Sequence, residues 1–93
     1  MTYTAYVVGP YGGAGRRKKE KCETYLKAQG FEVISSSGQI ADGIGREKYI
    51  HLAAELISHA DEVYFVEGWK ESPTARIEHA IAVYLGKQVR LFW

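Results

Sequence analysis

Runs of β-branched and aromatic residues, each bounded by turn formers, recur along the chain. Tyr3 to Val8 ends at Gly9-Pro10, Phe31 to Ser35 follows Gly30, Glu62 to Val66 precedes Gly68, and Gln88 to Phe92 follows Gly86. These four runs read as strands. The last three are apolar nearly throughout, as parallel strands covered on both faces are. Between them, apolar residues recur at helical spacing. Arg16 to Gln29 places Cys22, Tyr25 and Leu26 on one stripe, with Gly30 as a stop. Glu47 to His59 stacks Tyr49, Ala53, Leu56, Ile57 and Ala60. Thr74 to Leu85 stacks Ile77, Ala80, Ile81 and Tyr84, with Gly86 as its stop. Ser72 can cap that last helix, and Pro73 suits its first position.

The pattern β-α-β-α-β-α-β predicts a single α/β domain over residues 1–93. Right-handed crossovers make a four-stranded parallel sheet in the order 2-1-3-4 the natural solution, with three helices in a flavodoxin/Rossmann-like three-layer sandwich. The chain then reverses direction between strands 1 and 3, and ligands of open α/β sheets bind at that point, beyond the C-terminal strand ends. Two loops flank the crevice, Gly9 to Gly15 and Glu67 to Ser72. The polar stretch from Ser36 to Arg46 reads as a loop.

Composition narrows the function classes. Twelve Lys and Arg against eleven Asp and Glu give a net charge of +1, which supplies no field suited to a nucleic-acid polymer. The single cysteine, Cys22, can form neither an internal disulfide nor a cysteine-rich metal site. No apolar run approaches the roughly 20 residues of a membrane span. The N-terminus lacks the charged and apolar regions of a signal peptide, so a cytoplasmic protein is expected. A domain this small has a modest core, and the apolar end Leu91-Phe92-Trp93 asks for cover; a homo-oligomer, most simply a homodimer, would supply it.

The first crevice loop reads GPYGGAG (9–15) and runs into RRKKEK (16–21). Glycines let backbone N–H groups approach an anion, and a helix N-terminus adds partial positive charge. Four cations at 16–19 oppose that dipole, a conflict that a phosphate would relieve. A solvated basic helix end is the alternative. The glycine spacing matches neither the P-loop nor the dinucleotide fingerprint, and strand 2 ends in serines rather than an acid, which weighs against a dehydrogenase. In the second loop and the helix after it, Glu78 has Thr74, Ala75, Ile81 and Ala82 as same-face neighbours, so no basic partner stands one turn away. Three of those neighbours are small and leave space above the carboxylate, making Glu78 a candidate functional group; an exposed helix glutamate is the alternative. Ser72 can cap, bind an anion, or do both. Trp69 can stack on a ring or cover the sheet edge. Tyr6 lies in strand 1 with its hydroxyl within reach of the crevice. His51, His59 and His79 show no metal-binding spacing.

The strand-1 sequence YVVGPYGG, the segment HADEVYFVEGW (59–69) and the segment SPTARIEHAIAVYLGKQV (72–89) resemble the nucleoside 2-deoxyribosyltransferase superfamily, and most closely its short, often phage-borne branch. That superfamily includes transferases that move 2-deoxyribose between bases and nucleotide N-hydrolases that release the base to water. The resemblance implies N-glycosidic chemistry on a nucleoside or nucleoside monophosphate, with no metal or organic cofactor. It implies Glu78 as nucleophile, Tyr6 as an orienting or acid/base partner, and Ser72 as a 5′-phosphate ligand. Gly9, Gly12 and Gly13 would line sugar and phosphate, Arg16 would hold phosphate, and Trp69 would wall the base. Related members complete their sites with residues of a neighbouring subunit. One position departs from the pattern: Ala53 stands where the family carries an aspartate eight residues before the aspartate that precedes strand 3. A non-catalytic nucleotide-binding or sequestering protein on the same fold is the alternative that this departure favours.

Overall fold

The computed structural model describes residues 3–9, 13–34 and 45–92. Within them β1 (Thr4–Val8) leads to α1 (Gly13–Ala28) and β2 (Glu32–Ile34). After α2 (Arg46–His59) come β3 (Glu62–Val66), a 3-10 turn (Trp69–Glu71), α3 (Pro73–Tyr84) and β4 (Gln88–Phe92). All strand pairs are parallel and the sheet runs β2-β1-β3-β4, as the alternation predicts. Asp61 ties the start of β3 to that of β1: its Oδ2 accepts from Thr4 N at 2.7 Å, and its own N–H donates to Thr4 O at 2.8 Å.

Side chains alternate across β1 and divide the core in two. Ala5 and Val7 pack with Cys22 and Leu26 of α1 and with Val66. Tyr6 and Val8 pack on the other face with Ile57, Ala60, Phe65, Ala75 and Ala82, beneath α2 and α3. At the far edge Arg90 donates through Nε to Glu62 Oε1 at 2.6 Å, joining β4 to β3.

The buried stripes of two helices differ from their apolar periodicity. In α1 the stripe is Lys19, Cys22 and Leu26, while Tyr25 is half exposed and lies against Phe92. In α3 it is Ala75, Glu78 and Ala82. Of the expected stack there, Ile77 and Ile81 are half-buried, Ala80 is exposed, and Tyr84 is 90% exposed. The cause is steric and electrostatic. Two alanines let α3 lie close to the sheet, and the room this leaves holds a carboxylate where the periodicity placed isoleucine. The helix ends as expected: Gly86 takes φ of 70°, and Lys87 N–H donates to Ala82 O at 3.0 Å.

Two boundaries also shift. Helix α1 opens at Gly13 rather than Arg16, so the glycine run partly forms a first helical turn, whose N–H groups lack intrahelical partners in any helix. Strand β2 is only three residues long, and Ser35 and the stretch to residue 44 lie outside the described residues.

Gly9 follows β1 where α1 and β3 crowd together. A Cβ there would stand 2.3 Å from Val66 Cγ2 and 3.8 Å from Lys19 Cβ. Gly9→Ala should therefore destabilise the fold by about 1–3 kcal/mol, read as a lower urea midpoint. An unchanged midpoint would show that Val66 yields freely.

Candidate active site

Elements from three parts of the chain converge on one carboxylate. Ser72 begins α3, its Oγ accepting from Ala75 N at 3.3 Å and lying 3.1 Å from Thr74 Oγ1. With Pro73 in the first turn, this cap fixes where the helix starts and hence where Glu78 falls. Glu78 is 1% exposed. Strand β1 presents Tyr6 to the same face, and its hydroxyl donates to Glu78 Oε2 at 2.6 Å. Helix α2 presents Tyr49, 4% exposed, whose hydroxyl donates to Glu78 Oε1. The carboxylate is thus gripped from the sheet on one oxygen and from a helix on the other. Both oxygens are thereby fixed in direction.

Lys19 approaches from the opposite face of the sheet. It is 5% exposed and lies against Gly9. Burial holds its ammonium below the usual pKa of 10.5, while the negative charges of Glu23 and Glu78 pull the other way. A buried cation therefore acts on the buried carboxylate across the ends of β1 and β3. Cys22, one turn further along α1, is held as an unreactive thiol: burial, with Glu23, pushes it up to about 12.

Trp69 is packed rather than open. Its ring stacks on His79 at 4.6 Å and tilts against Phe65 at 4.9 Å, leaving 9% exposed. It borders a concavity of about 620 Å³ shared with His79, Lys70, Val89 and Leu91. Gly13 opens α1 and Arg16 lies in its first turn; the side chain of Arg16, like all of Gly12, lies outside what is described. Among the described residues no His, Cys, Asp and Glu cluster could hold a metal ion, and no helix is long and apolar enough to cross a membrane.

Of the residues singled out in the sequence, the structure brings Tyr6 and Glu78 into contact. Sequence reasoning passed over Lys19 and Tyr49. Lys19 was hidden in the run of four cations at 16–19, of which Arg17 and Lys18 are exposed and Lys19 is buried. Its signal was its spacing, three residues before Cys22 and seven before Leu26, on the helix's buried stripe. Tyr49 was read as core, which is correct for its ring and silent about its hydroxyl.

The parallel sheet ordered 2-1-3-4 with its three helices matches a nucleoside 2-deoxyribosyltransferase-like fold. The chain is similar to the solved structure of a 2-deoxyribosyltransferase from Leishmania mexicana, with a TM-score of 0.71 and 18% identity. The match covers 97% of this chain and 63% of that one, so the chain spans less than two thirds of that protein's length. No match was found among curated proteins. Residues 3–91 match the family described as Domain of unknown function (DUF4406), and the chain belongs to that family.

The lowered Lys19 pKa has a measurable sign. As pH rises through the folded-state value, the native ammonium loses its proton before the unfolded one does, so the unfolded state binds more protons. Stability therefore gains with pH until the ordinary value of 10.5 is passed. Lys19→Met removes this gain. The stability of the variant relative to the wild type should fall as pH climbs through the folded-state value toward 10.5 in paired urea titrations. A pH-independent difference would show that the ammonium is solvated.

Proposed function

We propose that the protein cleaves or transfers at the N-glycosidic bond of a nucleoside or nucleoside monophosphate, with Glu78 as nucleophile. The observation that carries this reading is the buried Glu78 carboxylate, held by the Tyr6 and Tyr49 hydroxyls. A carboxylate fixed in this way suits attack on an anomeric carbon of oxocarbenium character, with a glycosyl ester as intermediate. Tyr6 orients the nucleophile. Ser72 and the glycine loop at Gly9, Gly12 and Gly13, with Arg16, form the phosphate end. Trp69 closes the base end. A homo-oligomer belongs to the same reading: Val83 and Tyr84 on α3 and Leu91 on β4 leave apolar surface uncovered in the single chain. Light scattering showing only monomer at tens of micromolar would remove that part.

Incubation with a panel of nucleosides and nucleoside monophosphates, followed by chromatography for free base, tests the activity. Glu78→Gln should lower base release by at least about a thousandfold while largely preserving binding, because the amide keeps the shape and cannot attack. An active wild type whose rate ignores this change would remove Glu78 from the mechanism.

The second reading, a nucleotide-binding protein without turnover, is favoured by Ala53. It is fully buried on the same face of α2 as Tyr49, one turn away, where the resemblance implies a carboxylate. Ala53→Asp separates the two readings. It should raise the rate of an active wild type, provided the folded fraction is unchanged, since a buried acid costs about 1–3 kcal/mol. An inactive wild type revived by Asp at this position would establish the binding reading. In either case Ser72→Ala should weaken monophosphate binding more than nucleoside binding; equal losses would reduce Ser72 to a helix cap worth about 1 kcal/mol.

A further inference from the structure

We propose that Tyr49 is a positioning residue that speeds release of the glycosyl group from Glu78, an inference that rests on the N-glycosidic reading above. Tyr49 stands in the first turn of α2, almost fully buried, and its hydroxyl donates to Glu78 Oε1 while Tyr6 serves Oε2. The two donors come from different elements, so each can be altered without moving the backbone that carries the other.

The chemistry has two halves. In the first, a Glu78 oxygen bonds to the anomeric carbon and the carbon–nitrogen bond breaks. Its electron pair goes to the base nitrogen, which takes a proton from solvent. In the second, water bonds to the same carbon and the bond to Glu78 breaks. Its electron pair returns to the carboxylate, and the water's proton passes to solvent. A second base in place of water gives transfer instead of hydrolysis. Tyr49 keeps its own proton throughout.

The charge on Glu78 disappears in the first half and returns in the second. A donor to the carboxylate is strong against the ion and weak against the ester. Tyr49 therefore stabilises the free nucleophile relative to the glycosyl enzyme. It slows formation of the ester and hastens its breakdown, making Glu78 a better leaving group. Where breakdown limits turnover, this hydrogen bond sets the rate. A purely structural tyrosine would have no such asymmetry, because loss of packing slows both halves together.

The test is intact-protein mass spectrometry on enzyme quenched with acid during turnover of whichever panel substrate releases base. In Tyr49→Phe the fraction of chain carrying the mass of the glycosyl group should rise about tenfold over wild type, with a burst of free base before a slower steady rate. Installing 3-fluorotyrosine at position 49 keeps ring and hydroxyl while strengthening the donor, and should leave less adduct than wild type. Should the phenylalanine variant not fold, the fluorinated protein decides alone. An adduct fraction that stays at the wild-type level in Tyr49→Phe, or rises with fluorination, overturns the assignment of Tyr49 and leaves the N-glycosidic reading standing. A wild type that releases no base from any substrate overturns both.

Discussion

The constraint on which the structure turns is the burial of one carboxylate. Taking an ion out of water costs several kcal/mol unless charged or polar partners replace the lost hydration. Glu78 meets that demand with the Tyr6 and Tyr49 hydroxyls, and with the field of Lys19 from across the sheet. Each partner dictates a piece of architecture. Tyr6 must point to the α2 and α3 face of β1, which fixes the alternation of that strand. Tyr49 must enter α2 early, so that its hydroxyl reaches Glu78 Oε1. Helix α3 must carry small residues on its inner face, and Ala75 and Ala82 flank Glu78 there.

The parallel sheet supplies the place where these demands are compatible. Between β1 and β3 the chain passes to opposite faces, α1 to one and α3 to the other. The junction at those strand ends is flanked by helices on both sides. Gly9 keeps it narrow: the missing side chain lets Val66 and Lys19 close in from one face. The cap at Ser72 sets the rotation of α3 on the other. A sheet of the same composition in sequential order would offer no such point, and the carboxylate would have to be solvated or absent.

The topology was legible in the sequence because it depends on alternation and turn chemistry, which are local. Gly30 and Gly86 mark helix ends, Ser72-Pro73 marks a helix start, and four short apolar runs mark strands. The inner face of α3 was not legible, since periodicity rewards apolar residues and the true stripe is two alanines and an acid. The outward Tyr84, 90% exposed, belonged to the more apolar arc and drew the reading the wrong way. The pairing of Glu78 with Tyr6 was reached only through the resemblance to a family, because a contact spanning 72 residues leaves no trace in local pattern. Tyr49 and Lys19 were missed for a related reason. A side chain that is buried along most of its length and polar at its tip reads as core or as surface, according to which end the pattern weighs.

That amphipathic character bears on what the site is for. Replacing a buried ion pair by apolar side chains of similar volume is often neutral or stabilising, so stability alone does not call for Lys19 and Glu78 on the inner stripes of α1 and α3. A small domain with a modest core has little to spare for such groups. Lys19 and Glu78 act on each other across the sheet, while the third buried charge among the described residues, Glu62, is paired with Arg90 at the far edge. A buried acid held on both oxygens by phenols, in the field of a buried cation, is dry and aimed, the properties the proposed carboxylate nucleophile needs before a substrate arrives.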